Sequence, residues 1–70
     1  MPSSVIRAFT YDASRHELLI VFQSGRRYVY QAVPEATYKA MKAAFAKGEF
    51  FNTEIRGRFR FLPVDVQHDG

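Results

Sequence analysis

Cysteine is absent from this sequence, so neither disulfides nor thiolate metal ligands are available to staple the fold. Histidine is nearly absent, and His16 and His68 are too far apart in sequence to read as a metal-binding motif. The four glycines, Gly25, Gly48, Gly57 and Gly70, are dispersed, whereas a phosphate-binding loop needs them clustered before a helix. No serine is framed by glycines in the manner of a nucleophile elbow. The seven acidic residues are scattered, and none lies in an apolar run that would raise its pKa for proton transfer. Long apolar runs are also missing: the longest, Leu18 to Phe22, falls far short of the ~20 residues that span a bilayer. The start, MPSSVIRAFTYD, has no charged segment leading into an apolar stretch. These absences argue for a cytoplasmic, non-catalytic protein with no cofactor, no metal, no small-molecule substrate and no membrane association.

What is present is bulky and basic. The 70 residues read as a single domain, 1–70, with a core over about 4–62 and a flexible tail at 63–70. A domain this small buries only ~60% of the surface its unfolded chain exposes. Its hydrophobic share is 47%, and seven Phe and four Tyr must carry much of the core. The net charge is +3, and seven of the ten cations are arginine, grouped at Arg26-Arg27 and at Arg56, Arg58 and Arg60. A positive bias of this size favours an anionic partner without demanding one, since it also serves solubility.

Residues 4–11, β-branched and aromatic, read as a strand, and Asp12 opens a polar turn. Glu17 to Gln23 is a second strand, because LLIVF is too short and too β-branched for a helix. A three-residue loop with Gly25 left-handed would pair Phe22 with Arg26, Ile20 with Tyr28 and Leu18 with Tyr30. That register gathers Leu18, Ile20, Phe22, Tyr28 and Tyr30 on one face, with Phe9 and Tyr11, and leaves Leu19, Val21 and Val29 on the other. Pro34 and Glu35 open a helix whose apolar stripe runs through Thr37, Tyr38, Met41, Ala44 and Phe45, with Gly48 as its C′ residue. A short second helix over 49–56 follows, closed by Gly57, and Arg58 to Leu62 alternates as an extended segment. The fold class expected is α+β: a three-stranded antiparallel β-meander, then an α-helix and a short second helix packed on one sheet face.

The order of these pieces resembles the KTSC domain family. The matching residues are SSVI at 3–6, YD at 11–12, L-x-I-x-F at 18–22 and G-x-x-Y-x-Y at 25–30. They continue with VP at 33–34, KG at 47–48 and FFN-x-x-IRGRF over 50–59. The resemblance implies a short bacterial module, stand-alone or at the C-terminus of some lysyl-tRNA synthetases, and through that association a role in RNA binding.

Arg26, Arg27, Arg56, Arg58, Arg60 and Tyr30 are therefore the candidate nucleic-acid-binding residues. Guanidiniums donate paired hydrogen bonds to phosphate oxygens, and an exposed ring stacks on a base. A plainer assignment stands beside this one, with Tyr28 and Tyr30 in the core and the arginines keeping a strand edge soluble. Asn52 is either a ligand contact or a backbone-turning residue. The partner expected is RNA or another polyanion. The alternative is a protein partner or a second copy of the chain on the open sheet face, where Leu19, Val21 and Val29 make an apolar patch.

Overall fold

The computed structural model of the chain describes residues 6–64. Four antiparallel strands form one sheet in sequence order: β1 (Ile6–Asp12), β2 (Glu17–Phe22), β3 (Arg27–Tyr30) and β4 (Phe61–Pro63). Between β3 and β4 come helix α1 (Glu35–Ala43) and helix α2 (Lys47–Phe50). Helix α2 runs straight into a π-helical segment, Phe51–Ile55.

Both hairpins follow from local chemistry. In the first, the Asp12 carboxylate accepts hydrogen bonds from the Ser14 amide at 3.1 Å and the Ser14 hydroxyl at 2.8 Å. These bonds, the hydroxyl first, hold the Asp12 carboxyl below its ordinary pKa. His16 adopts a left-handed φ of 56°, and its carbonyl accepts the Val33 amide, tying this hairpin to the segment before α1. The second hairpin has the three-residue loop anticipated from Gly25, whose φ is 96°. The Gly25 amide donates to Phe22 O at 2.8 Å and the Phe22 amide donates to Arg26 O at 2.9 Å. Ile20 consequently pairs with Tyr28 and Leu18 with Tyr30.

That register divides the sheet. Leu18, Ile20 and Tyr30 join Ile6, Val33, Met41, Phe51 and Ile55 in the core, with Phe9, Tyr11, Phe22, Tyr28, Tyr38, Phe50 and Phe59 packed around it. The helices and the π-helical segment thus cover one face. Alternation leaves Leu19, Val21, Arg27, Val29 and Leu62 on the other. In β1, Arg7 is the extra residue of a bulge between the Ile6 and Ala8 pairings.

Three expectations need correction. The sheet has four strands, not three, because the extended segment near Leu62 pairs with the outer edge of β3 through Tyr28↔Pro63, Val29↔Leu62 and Tyr30↔Phe61. The Gln31 amide donates to Arg60 O and the Val64 amide to Arg27 O, so the edge of β3 is satisfied at both ends. Pro63, placed in the tail by sequence, is therefore in β4, while 65–70 of that expected tail lie outside the described residues. Second, α1 stops at Ala43, not at Gly48. Ala44 turns extended, and the Lys47 ammonium donates to the carbonyls of Ala44 at 2.6 Å and Lys42 at 3.2 Å, replacing a glycine cap. Gly48 instead belongs to α2. Third, Phe45 falls beyond the helix and is fully exposed instead of completing the apolar stripe. Among the described residues, no helix is long and apolar enough to cross a membrane.

Candidate functional site

A cleft of about 480 Å³ opens between the second hairpin, β4 and the π-helical segment. Its aromatic lining is continuous. Phe22 meets Tyr28 edge-on at 5.6 Å between centroids, Tyr28 meets Phe61 at 5.3 Å, and Phe61 meets Tyr30 at 5.4 Å. Tyr30 then meets Phe51 at 5.5 Å and Phe51 returns to Phe22 at 5.4 Å, closing a circuit of rings. These separations fall in the favourable range for aromatic pairs, so each ring holds its neighbours in place. The arrangement depends on three distant stretches of chain: the hairpin register sets Phe22, Tyr28 and Tyr30, β4 pairing sets Phe61, and Phe51 begins the π-helical segment.

The polar lining comes from Arg26, Asn52 and Arg56, with Gln23 and Ser24 on the hairpin loop, and among the described residues no carboxylate lines the cleft. The π-helical geometry places two of these. The Arg56 amide donates five residues back to Phe51 O at 2.8 Å, while Phe51 and Ile55 are buried. The opposite side of that turn is exposed and carries Asn52 and Arg56 together, the Arg56 Nη1 donating to Asn52 Oδ1 at 3.3 Å. Single π-helical turns of this kind are frequent at functional sites. Gly57 leaves the turn at a φ of 80° and also lines the cleft.

Tyr30 is 4% exposed, so its ring is a core residue as well as part of the cleft wall. Burial pushes its phenol pKa up, the neighbouring Tyr28 adds to the rise, and the Arg56 guanidinium opposes it. The Tyr11 hydroxyl, by contrast, donates to Val33 O at 2.6 Å. The hydroxyls of Tyr28 and Tyr30 have no hydrogen-bond partner among the described residues.

Of the arginines singled out by sequence, the structure brings only Arg26 and Arg56 to the cleft. Arg27 lies across from Val21 on the open sheet face. The Arg58 Nε donates to Thr53 O at 3.2 Å, closing the end of the π-helical segment, and Arg60 is exposed beside β4. Tyr30 joins Arg26 and Arg56 at the cleft. Sequence reasoning passed over Phe22, Phe51 and Phe61 as site residues and left Asn52 open. The one signal pointing to Asn52 was its spacing of four from Arg56. Among the described residues, no group of three or more His, Asp or Glu could hold a metal ion.

Comparison with known proteins places this architecture. Residues 2–59 match the sequence profile of the KTSC domain. The chain is 36% identical to a small protein of Tsukamurella paurometabola, covering 89% of this chain and 92% of that protein. It is 40% identical over 58 residues to a lysine–tRNA ligase of Nostoc punctiforme, covering 83% of this chain but 10% of the ligase. The chain thus spans about a tenth of the length of that ligase. The crystal structure of a KTSC domain protein from Yersinia pestis superimposes with a TM-score of 0.84 at 31% identity, covering 93% of this chain and 94% of that one. A shared profile, full-length relatives and a common fold lead to one conclusion: the chain belongs to the KTSC domain family.

Proposed function

We propose that this protein is a small non-catalytic module that binds single-stranded RNA in the cleft. The observation that carries this reading is the closed circuit of five rings with Arg26 and Arg56 beside it. Aromatic surface and guanidinium answer the two halves of a nucleotide, base and phosphate. A base inside a duplex cannot enter a cleft, whereas an unstacked base of a single strand can. The likeness to a segment of lysine–tRNA ligases, proteins named for tRNA, supports RNA over other polyanions. Fluorescence anisotropy with short labelled RNA tests the reading. Engaging two phosphates gives a slope of log K on log salt of about −1.4, at ~0.7 per phosphate on a single strand. An absence of association at low salt would sink it.

The open sheet face supports a second reading, self-association. Leu19, Val21 and Val29 line it and Leu62 is 53% exposed. The register sets Asp12 opposite Glu17 at one end of this face and Arg27 near the other. Two copies packed antiparallel about a two-fold axis would place acid against arginine at both ends. Light scattering over a concentration series separates this reading from a strict monomer.

A further inference from the structure

Tyr30 is the odd member of the ring circuit. The residue is only 4% exposed, yet its hydroxyl has no hydrogen-bond partner among the described residues. A polar group withdrawn from water costs free energy until something hydrogen-bonds it. Among the described residues no fully sealed side-chain polar atom lacks a partner, so the Tyr30 hydroxyl is not sealed. Tyr30 lines the cleft, and so do Tyr28 and Arg56, the two groups whose charge acts on its phenol. The hydroxyl therefore opens onto the cleft. Its raised pKa, set first by burial, keeps it a donor at neutral pH.

The cations beside it are not neutralised. The ion pair among the described residues is Lys39 with Glu35, and neither Arg26 nor Arg56 meets a carboxylate. Arg56 Nη1 donates to Asn52 Oδ1, and its other N–H groups have no partner among the described residues. Two guanidiniums and a recessed hydroxyl suit an anionic group with several oxygens, and RNA offers two kinds. An internal phosphodiester has two free oxygens, one charge and a sugar on either side. A terminal phosphate monoester has three acceptor oxygens, a charge of about −1.5 to −2 and a sugar on one side only. The cleft ends on core residues, Tyr30 and Phe51 being 4% and 6% exposed, so a strand finds no far exit. A strand end can reach that floor, whereas a continuing chain must turn back through the mouth. We infer that the cleft receives the terminal phosphate monoester of an RNA strand, its oxygens taken by the Tyr30 hydroxyl and the Arg26 and Arg56 guanidiniums. This rests on the reading of the cleft as an RNA site.

The test is an anisotropy titration of the intact chain with one internally labelled RNA in 5′-phosphorylated, 3′-phosphorylated and unphosphorylated forms. One phosphorylated form binds about tenfold more tightly than the unphosphorylated one, the worth of one hydrogen bond to a charged group, and that form names the end. Tyr30→Phe keeps the ring and removes the preference, leaving binding of the unphosphorylated form unchanged, with circular dichroism as the check on folding. Arg26 is exposed, and Arg26→Gln lowers the same preference. Equal binding of the three forms, or the same gain from a phosphate at either end, overturns terminal recognition and leaves the RNA reading standing. A preference that survives both variants overturns the assignment to these groups. Binding of none of the three forms overturns both.

Discussion

The two faces of the sheet are made by the same strands, with side chains one residue apart, yet they are built from different materials. The covered face carries Leu18 and Ile20 flanked by the rings of Phe9, Tyr11, Phe22, Tyr28, Tyr30 and Phe61, while the apolar residues of the open face, Leu19, Val21, Val29 and Leu62, include no ring. Large flat rings suit a surface that must fill the space beneath helices and still leave a cleft at one side. Branched aliphatics fit the pleat of the open face, where Leu19, Val21 and Val29 remain half-buried. The cleft proposed to bind opens where the rings meet the π-helical segment, and the opposite face carries these aliphatics.

The strongest way to probe this contrast is to truncate neighbours that point in opposite directions. Leu18 is fully buried, so Leu18→Ala should cost about 2–5 kcal/mol. At ~0.05–0.15 kcal/mol of stability per residue, that is much of what a domain this small has. Leu19→Ala, on the open half-buried face, should cost about 1 kcal/mol or less. Urea denaturation measures both, and equal costs would mean that the open face is covered in solution.

The next effect tests the turn that assigns residues to faces. Gly25→Ala should cost about 1–2 kcal/mol, the penalty of a left-handed L-residue. An added Cβ meets nothing within 4 Å, so conformational strain, not collision, is the cause. A loss near zero in the same denaturation assay would show that the hairpin register does not depend on this glycine.

Binding then sharpens the contrast. Arg56→Ala should reduce the salt slope of RNA binding by ~0.7. Arg27→Ala, on the opposite face, should leave both slope and affinity unchanged. Equal losses would indicate non-specific attraction to the whole molecule in place of a site.

The smallest effect concerns pH. The Tyr30 phenol pKa is raised above its ordinary 10.0 in the folded protein, so folding favours the protonated form. Its contribution is fully present below the unfolded value and is lost as pH rises through the folded one. Tyr30→Phe should therefore flatten the alkaline fall in stability, read as melting temperature against pH. An unchanged alkaline limb would place the Tyr30 hydroxyl in water.

Much of the meander was legible because its determinants are local. Asp12 makes its own turn, Gly25 sets the loop length, and loop length sets the pairing of Leu18, Ile20 and Val21 with β3. Helix α1 was legible at its start, where Pro34 stands at the cap, and illegible at its end. There the carbonyls are taken by the Lys47 side chain, which no glycine rule anticipates. The arginines were legible as cations, but not which of them line the cleft. Arg56, Arg58 and Arg60 alternate in sequence, yet Arg56 and Arg58 follow a helical turn and a left-handed Gly57, so strand alternation does not describe them.

By itself the sequence determined the α+β class, the hairpin register and the surplus of arginine, because each depends on residues within a few positions of one another. Only the tertiary structure decided that β4 closes the sheet, that Phe22, Tyr28, Tyr30, Phe51 and Phe61 form one circuit, and that Arg26 and Arg56 share it. Those contacts join stretches some thirty residues apart. Their pairing is settled by which strand edge and which apolar surface remain unburied once the local elements have formed.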